Sequence, residues 1–290
     1  MRVAFFNSDG LRSGWRVATF VLLIALSHAL FLLMSFLALG DSIPEGEDAR
    51  LVMVTGLNVL PALLVTWACA RWIDGRSVRD GVFAGRWQTV LNEVLFGAAV
   101  GLAIILMTLL TLSFLADVHI RWHRPSPVLF TLWLLFFLAA ASWEEVLFRG
   151  YAFVWLCRGL GRFFATAVVA VVFCLAHGLN PNVTVLSVVT IGVASVLLCL
   201  ASIACGGRLW LPIGLHWGWN VSQAMVFGGP VSGLSAAEVP RLTTVEASGA
   251  ELLTGGDFGL EGSLLLLMWA CGAALAGAWL LRRDAIPSRL

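Results

Sequence analysis

Over 290 residues, 60% of the side chains are hydrophobic, 12% are charged, and the net charge is +1. A soluble globular chain is nearer half apolar and a quarter charged, so this composition marks an integral membrane protein. The near-zero charge gives no general attraction to nucleic acid or anionic partners. The six cysteines are scattered, without CxxC or Cys/His spacing, and imply neither a disulfide framework nor a cysteine metal site.

Taken in chain order, apolar runs that can span a bilayer occur at about Trp15–Leu39, Leu51–Ala70, Val94–Leu115, Val128–Phe148, Phe163–His177, Val183–Ala204, Leu209–Phe227 and Ser263–Leu281. The first is too long for the apolar core of a signal peptide and reads as a retained helix. The stretch "DGRSVRDGVFAGRWQTVLNEV" before the third run is expected to include an interfacial amphipathic helix. The fifth run is short against the ~20 residues of a free-standing span. The longest non-spanning segment runs from Gly228 to Gly262, rich in Gly and Ser and mostly acidic in its charges. The expected fold is all-α: a polytopic integral membrane protein of about eight transmembrane helices, forming a single membrane domain over residues 1–290.

Arginine supplies every basic side chain and sets the expected orientation. Arg2, Arg12 and Arg16 precede the first run, and Arg71, Arg76, Arg79 and Arg86 fill the second connection. Arg158, Arg162 and Arg208 mark later turns, and Arg282, Arg283 and Arg289 close the chain. The alternate connections are acidic or mixed, with Arg121 and Arg124 as the exception. Both termini are therefore expected in the cytoplasm, and a bacterial cytoplasmic membrane is the expected location.

Ionisable groups at membrane depth cost about 2.5–3.5 kcal/mol each on insertion scales, so each asks for a reason. They are His28, Glu144, Glu145, Arg149, His177 and His216, with Asn220 as a polar companion. Glu145 and Arg149 are one helical turn apart and can pair, while Glu144 points about 100° away and has no such partner. His216 and Asn220 share one helix face, and Gly214 and Gly218 share another that permits close helix approach. His28 has no polar neighbour at helical spacing and reads as structural. His119 and His123, four apart in a loop, lack a third ligand for a metal. Glu144 lies roughly 21 Å before Arg158 along a helix, and His177 roughly 22 Å after Arg162. The polar groups are thus expected at one depth, in a site opening to the cytoplasm.

One carboxylate, two imidazoles and an amide suit hydrolysis. Glu144 beside His177 can hold and deprotonate a water, and His216 with Asn220 can donate to a carbonyl oxygen turning negative. Neither HExxH nor GxSxG is present, and "TGGDFG" lacks the first glycine of GxGD. Glu144, His177 and His216 are the alternative ligands if zinc binds, and a metallopeptidase is the alternative mechanism.

"EEVLFRG", "FCLAH" and "HWGWN" resemble, in order and spacing, the motifs EExxxR, FxxxH and HxxxN of the CPBP (Abi) family, which includes the type II CAAX prenyl proteases. "GWRVATFVLL" and "FGGPVSG" extend the likeness beyond a protease core at about residues 128–228. The resemblance implies an intramembrane endopeptidase with Glu144 as the water-activating carboxylate, His177 beside it, and His216 and Asn220 positioning substrate or oxyanion. It implies Glu145 and Arg149 as structural support, no required cofactor, and a membrane-associated protein or peptide as substrate. Two other readings stand: a non-catalytic scaffold or bacteriocin-immunity protein, and a proton-coupled transporter using Glu144 and His177 as a relay.

Overall fold

The computed structural model describes residues 6–7, 10–39 and 47–283. Arg2 and Arg289, on which part of the expected orientation rests, lie outside the described residues, as do Asp41 and Glu45 of the acidic first connection. A small antiparallel pair, β1 (Phe6–Asn7) with β2 (Gly10–Leu11), opens the chain. The helices follow as α1 (Ser13–Leu39), α2 (Glu47–Ala68), α3 (Trp87–Ser113), α4 (Pro127–Arg149), α5 (Tyr151–Leu160), α6 (Arg162–His177), α7 (Val185–Ala204), α8 (Trp210–Val221), α9 (Glu251–Thr254) and α10 (Leu264–Arg283).

Every apolar run of the sequence becomes helix, but not every helix is a span. Five stretches are long and apolar enough to cross a membrane: Ser13–Leu37, Trp87–Ser113, Pro127–Leu160, Val185–Ala204 and Leu264–Arg283. The chain is therefore read as a multi-pass membrane protein, and the count of eight is not carried by length and apolarity. The other three runs are short or interrupted. α6 has 16 residues, α2 gives way to a π-turn at Cys69–Ile73, and α8 gives way to another at Ser222–Val226.

Three local expectations are corrected. The stretch before α3 holds only a 3₁₀ turn at Val78–Asp80, capped by the Ser77 hydroxyl, because its Gly residues and charges leave too short an apolar face for a helix. The run ending at Phe148 continues past Gly150 as a separate helix, so depths measured straight along it to Arg158 do not apply. Gly150 has ψ −130°, and a Cβ there would lie 2.2 Å from the Val146 carbonyl oxygen. The fold is also not purely helical. β3 (Asp117–Trp122) pairs antiparallel with β4 (Thr243–Ser248), joining segments that sequence distance keeps apart.

The bundle has two distinguishable ends. At one, the carboxylate of Asp74 forms an ion pair with Arg16 and accepts hydrogen bonds from Tyr151 Oη and Trp155 Nε1, both at 3.0 Å. Nearby, Arg208 pairs with Glu93, and Leu209 N–H donates to the Val82 carbonyl at 2.9 Å. Arg162 and the turn after Ala204 belong to this end. The opposite end carries the β3–β4 sheet and the segment from Gly228 to Ser263.

The closest helix contact is between α3 and α8, which run parallel. A Cβ on Gly97 would meet the Leu211 carbonyl oxygen at 2.4 Å, and one on Gly101 the Leu215 oxygen at 2.4 Å. Reciprocally, Gly214 faces the Val94 carbonyl at 2.2 Å and Gly218 that of Ala98 at 2.3 Å. Two glycine ladders thus interlock backbone on backbone, the small-residue packing that membrane helices use in place of a hydrophobic driving force. The glycine stripe of α8 turns to α3, so the stripe two residues on, with His216 and Asn220, turns to α4.

Candidate active site

The first motif is split between two environments. Glu145 and Arg149 are wholly buried, while Glu144, beside Glu145 on the same turn of α4, reaches a cavity. Glu145 Oε1 accepts from Arg149 Nη1 at 3.3 Å and from His216 Nδ1 at 2.8 Å. Arg149 Nη2 also donates to the Ser195 carbonyl at 3.3 Å and is bonded to the Ser195 hydroxyl on α7. A buried charge pair with such partners resists removal of either member.

The second motif places Phe173 and His177 on α6. Phe173 lies under the Arg149 guanidinium, 4.3 Å from the ring centroid, and its ring is 4.5 Å from that of His177. The phenylalanine of FxxxH thus spaces the buried cation from the cavity and supports the imidazole. His177 Nδ1 is 2.9 Å from the Phe173 carbonyl, an acceptor, so that nitrogen carries the proton. Its Nε2 faces Glu144.

All four expected catalytic residues, Glu144, His177, His216 and Asn220, line one cavity of about 340 Å³. Glu144 Oε2 lies 3.8 Å from His177 Nε2 and 3.9 Å from His216 Nε2, and has no hydrogen-bond partner. These separations are too long for direct hydrogen bonds. His216 Nδ1–H is committed to Glu145, which orients Nε2 into the cavity. His216 and Asn220 are each 9% exposed, one turn apart on α8. The helix widens into its π-turn directly after Val221, a distortion frequent at functional sites.

Aromatic side chains from α4, including Trp133, Phe136, Phe137 and Trp143, line the cavity, and Val231–Val239 supply further wall. It therefore extends from Glu144 toward the end bearing Gly228–Ser263, away from the arginine-rich turns. The expected orientation by arginines and the expected opening to the cytoplasm are incompatible here, because the segment read as external walls the cavity.

Two of the three spacings among the candidate zinc ligands exceed those around a bound ion. Ligands at 2.0–2.1 Å around a tetrahedral zinc stand about 3.3 Å apart, against 3.8 and 3.9 Å for the two Glu144–His spacings. Among the described residues no group of three or more His, Cys, Asp or Glu has metal-binding geometry. His123 Nε2 instead lies 2.8 Å from the Thr244 hydroxyl, and His119 sits on β3 opposite Glu246.

Several contributors were hidden from sequence reasoning. Glu145 is more than the partner of Arg149, since it also orients His216, and no local spacing announces a bond between α4 and α8. His28 has a partner after all: Trp143 Nε1 donates to His28 Nε2 at 3.1 Å, tying α1 to the cavity wall. Asn180 lines the cavity and donates to the Ser232 carbonyl at 2.8 Å. Its only local signal was its place three residues past His177.

Residues 126–222 match the family described as type II CAAX prenyl endopeptidase Rce1-like. That stretch is a domain of this CPBP/Abi family and contains all seven motif residues. It covers roughly a third of the chain, beginning on α4 and ending where α8 gives way to its π-turn. No curated protein matches the chain significantly.

Proposed function

We propose that the chain is an intramembrane endopeptidase that hydrolyses a peptide bond by glutamate-activated water. The observation that carries this reading is the convergence of Glu144, His177, His216 and Asn220, from three helices, on one aromatic-walled cavity. In this reading the Glu144 carboxylate holds a water that His177 Nε2 also contacts. The carboxylate takes one proton as the water oxygen attacks the peptide carbonyl. The carbonyl oxygen, gaining charge, is met by the Asn220 amide N–H and by His216 Nε2 in its protonated form. Glu144 then returns its proton to the leaving amine, and the peptide separates into acid and amine. The metal-free form of this mechanism is part of the proposal.

The substrate proposed is a membrane-associated protein or peptide, since the walls are apolar and the bundle is embedded. One membrane domain, with the protease core on α4 to α8, remains the proposed organisation. If the arginine-rich end faces the cytoplasm, as the bias of Arg16, Arg76, Arg158, Arg162 and Arg208 favours, then the cavity is reached from the outer face or laterally from the bilayer.

The test compares peptides released in membranes carrying wild type or Glu144→Gln, followed by cleavage of the candidate by purified protein with and without a zinc chelator. The expected result is cleavage by wild type alone, insensitive to chelation. Activity lost on chelation and restored by zinc replaces the glutamate mechanism with a metallopeptidase one. No wild-type cleavage of any peptide leaves the scaffold reading in its place.

A further inference from the structure

We propose that Glu261 is a positioning residue of the site, its buried carboxylate fixing both the Ser232 rim of the cavity and the α8 face that presents Asn220. The inference rests on the peptidase reading of the cavity. Glu261 lies in the 3₁₀ turn Leu260–Gly262, outside the matched family region, and is 5% exposed. Its Oε1 accepts from Trp219 Nε1 at 2.9 Å and from Gln223 Nε2 at 3.2 Å. Its Oε2 accepts from the Ser232 backbone N–H at 2.6 Å. Among the described residues it forms no ion pair, and three N–H donors satisfy the buried carboxylate in place of a cation.

The donors come from two parts of the site. Trp219 and Gln223 flank Asn220 on α8 and its π-turn, so holding them fixes the rotation at which Asn220 enters the cavity. Ser232 belongs to the rim. It has φ +50°, in the left-handed region that non-glycine residues seldom adopt. That conformation is held from both sides, by Glu261 on its N–H and by Asn180 on its carbonyl. Glu261, Ser232, His177, His216 and Asn220 also border a second, smaller cavity of about 30 Å³. The carboxylate is therefore adjacent to the site without reaching Glu144.

The chemistry calls for an acid at position 261. All three of its neighbours are donors, and a glutamine has one acceptor oxygen and one NH₂. Gln223 can turn over, because its Oε1 has no partner, but the Trp219 and Ser232 N–H groups cannot. Glu261→Gln therefore sets donor against donor at α8 or at the rim.

The experiment pairs steady-state cleavage with hydrogen exchange on full-length protein in detergent, for wild type, Glu261→Gln and Glu261→Asp. For Glu261→Gln we expect at least tenfold lower kcat/KM, with kcat falling through the displaced Asn220 and KM rising through the loosened rim. Amides of residues 228–239 should exchange at least tenfold faster, while α7 and α10 keep wild-type protection. Glu261→Asp, which retains the acceptors on a shorter arm, should recover part of both losses. Wild-type kinetics and exchange in Glu261→Gln overturn the proposal. So does faster exchange spread over every helix in both variants, which makes Glu261 a general stabiliser. If wild type cleaves no peptide, the peptidase reading fails by itself, and exchange at 228–239 alone then decides whether Glu261 holds the rim.

Discussion

Glu145 and His216 share a hydrogen bond of 2.8 Å across 71 residues of sequence, wholly inside the bundle. It makes the second glutamate of the EExxxR motif the hinge between the buried Arg149 and the cavity-facing imidazole. The two adjacent glutamates are divided by helix geometry: successive side chains on α4 diverge by about 100°, so one carboxylate meets the core and the other the cavity.

Glu145→Gln should be costly to the fold. An amide keeps one acceptor but brings an NH₂ toward Arg149 or His216 and leaves the guanidinium without its buried counter-charge. Breaking such a pair by removing one partner costs about 3–5 kcal/mol. Thermal unfolding of purified protein in detergent should show a clear drop in midpoint, accompanied by loss of cleavage. An unchanged midpoint removes the structural part of the assignment.

Glu144→Gln should behave in the opposite way. Oε2 of Glu144 has no hydrogen-bond partner to lose, so folding should be nearly unaffected. Cleavage should fall by about 10²–10⁴-fold, the usual contribution of a positioned general base. Full activity in the purified variant rules out the role given to Glu144.

Asn220→Ala and Asn220→Asp test the oxyanion side. Removing one such donor costs about 10²–10³ in turnover, and a ground-state carbonyl gains little from it, so kcat should fall with KM nearly constant. Asp keeps the size but offers acceptors where donors are needed, and should be no better than Ala. Equal losses in KM and expression would instead assign Asn220 to packing.

The glycine ladder makes a prediction about stability alone. A Cβ at position 101 would lie 2.4 Å from the Leu215 carbonyl oxygen, so Gly101→Ala must push α3 from α8. Overpacking of this kind costs about 1–3 kcal/mol. Gly272→Ala, on α10 with nothing within 4 Å of the added Cβ, is the control and should leave the unfolding midpoint unchanged.

Orientation can be read from one residue. Ser235 is exposed and lines the cavity, so a Ser235→Cys variant reports the side its mouth faces. The arginine distribution predicts labelling by an impermeant thiol reagent added outside intact cells. Labelling only after the cytoplasm is opened reverses the orientation and restores an inward-facing site.

The sequence alone determined the solvent of the fold and which polar residues to look for inside it. Composition and apolar run length marked a membrane protein, because a bilayer rewards continuous apolar surface irrespective of topology. The expense of burying charge singled out Glu144, Glu145, Arg149, His177 and His216, and helical spacing paired Glu145 with Arg149 and His216 with Asn220. Those inferences depend only on local geometry and solvation, which the chain carries in its own order. Tertiary structure decided what depends on neighbours distant in sequence. It gave Glu145 to His216, Trp143 to His28, Phe173 to Arg149 and Glu261 to Ser232, and it paired β3 with β4. It also decided how many helices are long enough to span and toward which end the cavity extends. Apolar runs record burial but not breaks such as Gly150 and the π-turns, whose cause is the packing of one backbone against another.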